Sequence, residues 1–297
     1  MKKIYLILFL VFTIGLKGNL SAEELHFIDN SNLMVYFDPL LESAAMNVID
    51  IYPEIKSDVE ITIRWKYDFR PTVFLIKNRN HFFQNDLIVA YAVPKQAAIV
   101  IDYSKAGKFP FRLETILKHE FCHLLLNYHI KKKVLPRWLD EGIAQWISDS
   151  IGEIIFDQKR SLLNRAAFSG RFIRLAYLKN GFPDDREPML LAYEESKSFI
   201  EFILGNYGRD SILTILNYLK NGEEVDPAFI KVLPDSLEGL EKQWQQSLRK
   251  KTTWVTYLSY HVYEILFAFM ALISIFGFIK LLMKKHSYMK DEEEDTA

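Results

Sequence analysis

The sequence predicts an α+β domain, in which a mixed sheet precedes a group of helices, followed by one C-terminal transmembrane helix. Stretches rich in β-branched and aromatic residues lie in the first half of the chain, whereas apolar residues recur at helical spacing in the second half. Strands that precede helices, rather than alternating with them, favour the α+β class. A long apolar run near the C terminus predicts the transmembrane helix.

The individual elements follow from these two periodicities. Strands are predicted at residues 33–37, 59–65, 72–76, 88–92 and 97–101. A helix is predicted between the first two strands, at residues 39–51. Further helices are predicted at residues 112–128, 138–148, 193–207, 209–219 and 237–248. No internal repeat or low-complexity linker interrupts residues 23–253, so we expect one domain there.

The N terminus has the features of a secretory signal peptide. Lys2 and Lys3 precede a short apolar run, and the small residues Ser21 and Ala22 follow it. This order of basic, apolar and small residues predicts a signal peptide over residues 1–22, cleaved after Ala22. An uncleaved membrane anchor is the alternative.

Residues 262–283 form the predicted transmembrane helix. At about 1.5 Å per residue they reach about 33 Å, enough for the hydrocarbon core of a bilayer. Lys284, Lys285 and Lys290 follow the span, and basic residues favour the cytoplasmic side. We therefore expect a single-pass cell-membrane protein with a cytoplasmic tail at 284–297 and an extracytoplasmic domain, periplasmic or extracellular. A buried core helix is the alternative.

Charge and cysteine content exclude two classes of protein. The 38 acidic and 37 basic side chains leave a formal net charge of −1, which argues against a nucleic-acid partner because phosphate binding needs a basic surplus. Cys122 is the single cysteine, so the exported domain cannot rely on internal disulfides and must be stabilised by core packing or a metal.

The motif His119-Glu120-x-x-His123 is the most informative segment. Residues four apart on a helix lie one turn apart and about 40° apart around the axis, so both imidazoles can reach a single cation. Glu120 then lies beside the cation, where its carboxylate could act as general base toward a metal-activated water. Two surface histidines on an amphipathic helix are the alternative.

A second segment, residues 135–146, supplies a third candidate ligand. Catalytic zinc takes three protein ligands and keeps one position open, and Glu141 provides a carboxylate from a separate helix. The sequence therefore predicts one Zn²⁺ per chain, held by His119, His123 and Glu141. Asp140 points about 100° away from Glu141 on a helix, so we interpret it as an acidic residue near the helix start, favoured there by the helix dipole.

The two segments together resemble the gluzincin clan of zinc metallopeptidases, and most closely its bacterial peptidase MA-like families. Seventeen residues separate His123 from Glu141, which lies in a Trp-Leu-x-Glu-Gly-x-Ala context. The similarity covers about residues 88–248. It implies a zincin-like metallopeptidase fold and hydrolysis of peptide or protein substrates. The exopeptidase signature Gly-x-Met-Glu-Asn is absent, so we expect an endopeptidase.

The resemblance also implies roles for residues outside the metal motif. Residues 192–203 look like the downstream helix of these families, whose tyrosine donates a hydrogen bond to the oxyanion, and here that residue would be Tyr193. A packing tyrosine is the alternative. The strand at 97–101 resembles the family's edge strand, where an extended substrate can add by β-pairing.

Two residues near the motif depart from the pattern or invite another interpretation. The thermolysin-like pattern has an aspartate four residues after the ligand glutamate, which holds a ligand histidine, whereas this chain has Gln145 there. We expect the amide oxygen of Gln145 to accept the imidazole N–H in its place. Cys122 lies close to His119 along the helix, but we interpret it as a small packing group because the ligand set is already complete.

Two other functions stay open at this point. The domain could be a catalytically silent binding module that kept the fold, or a zinc hydrolase acting on a non-peptide substrate. A folded domain without zinc would favour the first, and a substrate screen would identify the second.

Overall fold

A computed structural model describes residues 25–77, 88–106, 112–132, 135–149 and 162–294 of the chain. For residues 252–261 and 283–294 it describes the backbone alone. The predicted signal peptide at 1–22 lies outside the described residues.

The described part of the chain contains a five-stranded mixed sheet. Its strands are β1 (His26–Asp29), β2 (Met34–Phe37), β3 (Thr72–Ile76), β4 (Ala90–Val93) and β5 (Ala98–Asp102). They lie in the order β1-β2-β3-β5-β4. The inner strands β2, β3 and β5 are parallel, and the outer strands β1 and β4 each run antiparallel to their neighbour. The predicted mixed sheet before the helices is confirmed, although β1 was not predicted.

Eight α-helices are described. They are α1 (Glu42–Ile63), α2 (Leu113–His129), α3 (Arg137–Ser148), α4 (Leu162–Ser169), α5 (Arg186–Tyr207), α6 (Arg209–Lys220), α7 (Val225–Val232) and α8 (Leu237–Glu294). The predictions for α2, α3 and α6 agree with the structure to within one residue at each end. The predicted helix at 193–207 begins earlier, at Arg186, and α4 and α7 were not predicted.

The strand predicted at 59–65 is wrong, because these residues form the last turns of α1 and the bend after it. Their β-branched composition favours a strand, but the buried residues of α1 recur three or four positions apart, and this periodicity fixes the helix. The residues are Val48, Tyr52, Ile55, Val59 and Ile63. Arg64 then ends the helix in the left-handed conformation, with φ 63°.

The edge of the sheet is also different from the prediction. The strand predicted at 97–101 corresponds to β5, which lies between β3 and β4 and is therefore internal. The two edge strands of the described sheet are β1 and β4, and β4 is the one that pairs with β5. Helix α2 packs against both β4 and β5, so the edge strand and the metal motif are neighbours.

The helices position the site by packing on one another. Helix α2 packs between α1 and α3, and α3 packs in turn on α5. Aromatic contacts fix these layers, for example Phe121 of α2 against Tyr52 of α1, and Trp138 of α3 against Phe199 of α5. A continuous core of buried side chains therefore connects the sheet to the helices that carry the metal motif.

The last helix has two parts with different surroundings. Near its start, Leu240 and Trp244 are fully buried against the domain. Further on, Val262–Leu282 has a mean hydropathy of 2.5 and none of it is buried in the protein. This segment, which matches the predicted span at 262–283, is long and apolar enough to cross a membrane.

Candidate metal centre

The two histidines of the motif lie on one face of α2, as their spacing predicts. Their Nε2 atoms are 3.1 Å apart, and the rings are inclined by 80°. Both side chains are buried. A helical turn thus brings two ring nitrogens to one point inside the domain.

Helix α3 brings Glu141 to the same point. Its Oε2 atom lies 3.3 Å from Nε2 of His119, and its Oε1 atom lies 3.7 Å from Nε2 of His123. The three side chains offer one ligand atom each, all within 4.8 Å of one another. No other such group of three ligands occurs in the described part of the chain.

The geometry of this group fits a tetrahedral zinc ion. Zinc binds histidine nitrogen and carboxylate oxygen at about 2.0–2.2 Å, so two of its tetrahedral ligands are about 3.4 Å apart. Here the two Nε2 atoms are 3.1 Å apart, and Nε2 of His119 is 3.3 Å from Oε2 of Glu141. Nε2 of His123 is 3.7 Å from the other carboxylate oxygen, Oε1. Two imidazole nitrogens and one carboxylate oxygen are also a donor set that zinc prefers.

Asp140 orients His123. Its Oδ1 atom lies 2.8 Å from Nδ1 of His123, and its Oδ2 atom accepts a hydrogen bond of 3.2 Å from the Asn127 amide. Burial raises the pKa of Asp140, but the charge and hydrogen bond of His123, aided by Arg137 and Asn127, hold it below its usual value. The interpretation of Asp140 as an acid at the helix start is therefore incomplete, because its carboxylate also orients the imidazole of His123. We call the three side chains His119, His123 and Glu141 the metal group.

Ser148 occupies the corresponding position beside His119. Its Oγ atom lies 3.3 Å from Nδ1 of His119 and donates a hydrogen bond of 2.8 Å to the Ala144 carbonyl. With its proton committed to that carbonyl, Oγ can accept from the imidazole N–H. Both histidines therefore have an oxygen at Nδ1, which leaves Nε2 for a metal.

Gln145 does not have the role expected for it. Its side-chain amide donates a hydrogen bond of 3.2 Å to the backbone carbonyl of Tyr193, and the δ nitrogens of the two histidines face Asp140 and Ser148 instead. Gln145 therefore connects α3 to α5. Asp140, Gln145 and Ser148 all lie on α3, so the local sequence does not indicate which of them meets a histidine.

Glu120 and Cys122 have different surroundings on α2. Both side chains are fully buried. Glu120 directly follows His119 on the helix. Cys122 belongs to the hydrophobic core, and burial raises the pKa of its thiol. The thiol therefore stays protonated, which agrees with the interpretation of Cys122 as a packing group.

Tyr193 lies on α5, and Arg137 lies between its hydroxyl and Glu141 of the metal group. Its hydroxyl is 3.5 Å from Nη2 of Arg137, and this same nitrogen is 2.5 Å from Oε1 of Glu141. The Tyr193 ring is buried, with its centroid 4.7 Å from that of Phe182. The hydroxyl therefore lies one side chain away from the metal group. Arg137 was not predicted from the sequence.

The model of the Peptidase MA superfamily matches residues 82–250, which is more than half of the chain. The chain belongs to the Peptidase MA superfamily. No curated protein matches the sequence. Membership supports a zincin-type metallopeptidase, in agreement with the gluzincin resemblance, and this superfamily is generally zinc-dependent.

The Peptidase MA match contains every residue of the candidate metal centre and both strands on which α2 packs. The match begins at residue 82, so strands β1, β2 and β3 and helix α1 lie before it. These elements belong to the same sheet and the same core as the matched part.

Proposed function

We propose that the protein is a membrane-anchored zinc endopeptidase in which His119, His123 and Glu141 hold one Zn²⁺. The observation that carries this proposal is the convergence of three ligand atoms within 4.8 Å, in a buried site inside the Peptidase MA match. The oxygens at both Nδ1 atoms support it further, because such partners orient ligand histidines.

The proposed reaction is hydrolysis of a peptide bond by water, giving a carboxylic acid and an amine. When bound, zinc supplies a Lewis acid that polarises the scissile carbonyl and acidifies the attacking water. We assign the general-base role to Glu120, whose carboxylate accepts a proton from that water and later returns it to the leaving amine. We assign Tyr193 the hydrogen bond to the oxyanion. Its hydroxyl contacts Arg137, which in turn contacts Glu141, and this short distance from the proposed zinc site supports the role.

We propose that the substrate adds to β4 as an extended strand. In the described part of the sheet β4 is an edge strand, and sheet edges are where extended peptides add by β-pairing. Because α2 packs against β4, such a peptide would run beside the metal motif. An extended substrate with chain on both sides of the cleaved bond is what an endopeptidase requires.

The test of this function is cleavage of a mixed peptide library by the purified full chain in detergent with added zinc. We expect cleavage by the native protein and none by Glu120→Gln, which should keep its zinc. Glu114→Gln is a matched control, because Glu114 is exposed in the first turn of the same helix. Full activity of Glu120→Gln would refute the role assigned to Glu120. A zinc-loaded native protein that cleaves no peptide would favour a silent module or a non-peptide substrate.

We propose four parts for the chain: a signal peptide at 1–22, the peptidase domain at 23–253, a transmembrane helix at 262–283 and a cytoplasmic tail at 284–297. The apolar, unburied segment of α8 supports the span. Alkaline extraction of cell membranes should leave the protein in the pellet. Protease added outside intact cells, or spheroplasts if there is an outer membrane, should digest the domain and spare a C-terminal tag. Release by alkali would exclude the span.

A further inference from the structure

Arg137 lies between the ligand carboxylate and the tyrosine of the proposed active site. It is the first residue of α3, four positions before Glu141, and therefore one helical turn away on the same face. Its Nη2 atom is 2.5 Å from Oε1 of Glu141 and donates a long hydrogen bond of 3.5 Å to the hydroxyl of Tyr193. One guanidinium nitrogen thus contacts two groups that come from different helices.

The two oxygens of Glu141 have different neighbours. Oε2 lies 3.3 Å from Nε2 of His119, whereas Oε1 lies 2.5 Å from Nη2 of Arg137 and 3.7 Å from Nε2 of His123. His119, His123 and Glu141 each offer one ligand atom within 4.8 Å of the others while the guanidinium contacts Oε1 of Glu141. The guanidinium therefore holds the carboxylate at the point where the three candidate ligands converge.

Arg137 is itself held in place at both ends. Its backbone N–H donates a hydrogen bond of 2.9 Å to the Lys179 carbonyl. At the other end the guanidinium carbon lies 6.0 Å from the centroid of the Phe182 ring, and the same ring packs edge-on against Tyr193. Arg137 and Tyr193 thus share one aromatic neighbour, which limits the positions that either side chain can take.

We infer that Arg137 is a positioning residue that holds the carboxylate of Glu141 and the hydroxyl of Tyr193 in fixed positions relative to each other. The inference rests on the proposed function. A guanidinium suits this task better than an ammonium, because its planar fork presents several N–H donors in fixed directions. Removing it should free both groups at once, so the effect should appear in zinc affinity and also in the contribution of Tyr193.

The experiment compares the full chain in detergent with its variants Arg137→Gln, Arg137→Lys, Tyr193→Phe and the Arg137→Gln/Tyr193→Phe double variant. For Arg137→Gln we expect the zinc Kd, measured by competition with a chromophoric chelator, to rise about tenfold. We expect kcat to fall with little change in KM. In the double variant kcat should fall no further than in the more impaired single variant, because the tyrosine is already out of position. Arg137→Lys should restore part of the zinc affinity.

Two controls separate positioning from loss of fold. Arg165→Gln removes an arginine–carboxylate pair that is exposed and outside the metal centre, with Glu187, and should leave the zinc Kd and kcat unchanged. Arg137→Gln should keep the native far-UV circular dichroism spectrum and a cooperative urea transition, although loss of the pair with buried Glu141 lowers the midpoint. A zinc Kd within twofold of the native value, or kcat losses that multiply in the double variant, would overturn the inference. If the native chain neither binds zinc nor cleaves peptide, it is the proposed function that fails.

Discussion

Asp140 and His123 are joined by a contact of 2.8 Å between Oδ1 and Nδ1, and the residue after Asp140 is Glu141, which faces the other nitrogen of the same ring. Neighbouring residues on a helix point about 100° apart. The imidazole of His123 lies between these two directions, so Asp140 contacts its Nδ1 atom and Glu141 faces its Nε2 atom. This arrangement favours the tautomer with its proton on Nδ1 and leaves Nε2 available to a metal.

Replacement of Asp140 by asparagine tests this relationship. The amide keeps the size of the side chain but is a weaker acceptor for the imidazole N–H, so we expect the zinc Kd to rise about 10- to 100-fold. Competition with a chromophoric chelator measures the change. Asp210→Asn is the matched control, because Asp210 is exposed in the first turn of α6 and pairs with Arg64 away from the site. Equal zinc affinity in Asp140→Asn and Asp210→Asn would contradict the orienting role.

The elements that were predicted well are those whose signal is local. The spacing of His119 and His123 places both on one helical face, and the structure brings their Nε2 atoms together with a carboxylate of Glu141. Helices α2 and α3 also follow from local apolar periodicity. In each case a few neighbouring residues contain the whole signal.

The partners of the ligands could not be predicted, because they depend on how separate helices pack. Asp140 and Ser148 reach histidines on α2 from opposite ends of α3, and only the crossing of the two helices decides which side chain meets which ring. Gln145 was assigned to a histidine by analogy, whereas the close packing of α3 on α5 directs it to Tyr193. In residues 59–63 the β-branched composition favours a strand, but the helical spacing of the buried residues decides the structure, and these residues belong to α1.

Zinc should stabilise the protein against unfolding, and the effect should depend on Glu141. A ligand that binds only the folded state adds about 4 kcal/mol at a concentration a thousand times its Kd. We expect added zinc to raise the urea unfolding midpoint of the full chain in detergent, and the increase to be much smaller in Glu141→Gln. The zinc-induced shift is the informative quantity, because losing the pair with Arg137 alters the baseline. Glu201→Gln, an exposed residue of α5, should keep the full shift. An undiminished shift in Glu141→Gln would exclude Glu141 as a ligand.

Three carboxylates connect α5 and α8 to the segment between Leu162 and Leu175. Glu194 accepts backbone N–H groups from Leu162 and Leu163, Glu195 accepts that of Ile173, and Glu241 accepts that of Leu175. Burial, with smaller effects from Glu241 and Glu194, raises the pKa of Glu195 to about 8. Burial also raises the pKa of Glu241.

The raised pKa of Glu195 makes stability depend on pH. Between about pH 4.5 and about pH 8 the folded protein keeps a proton that the unfolded chain has lost, so rising pH lowers the free energy of unfolding, by up to roughly 1.4 kcal/mol per pH unit. Glu195→Gln removes this dependence, while its amide oxygen can still accept the Ile173 N–H. Urea unfolding at pH 5, 6.5 and 8 should therefore show the variant gaining on the native protein as pH rises. Glu187→Gln, which alters an exposed pair with Arg165, should follow the native profile. A constant difference between Glu195→Gln and the native protein would contradict the prediction.

Gly142 allows α3 and α5 to approach each other beside Glu141. A Cβ atom at this position would lie 2.6 Å from Cγ1 of Ile200 and 2.7 Å from the backbone carbonyl oxygen of Ser196. The side chain of Ile200 could turn, but the carbonyl belongs to the rigid backbone of α5. Gly142→Ala must therefore push the two helices apart, and α3 carries Glu141 while α5 carries Tyr193.

We expect Gly142→Ala to lower the free energy of unfolding by about 1–3 kcal/mol, as overpacking in a core usually does. Peptidase activity should fall further than stability alone explains, because the separation moves Glu141 away from Tyr193. Gly205→Ala is the matched control, since Gly205 lies on α5 with open space around its Cβ position. That variant should be neutral or more stable by up to about 1 kcal/mol, because alanine suits a helix better than glycine. Urea unfolding and peptide cleavage of both variants measure the contrast, and equal behaviour of the two would mean that close packing at Gly142 is not required.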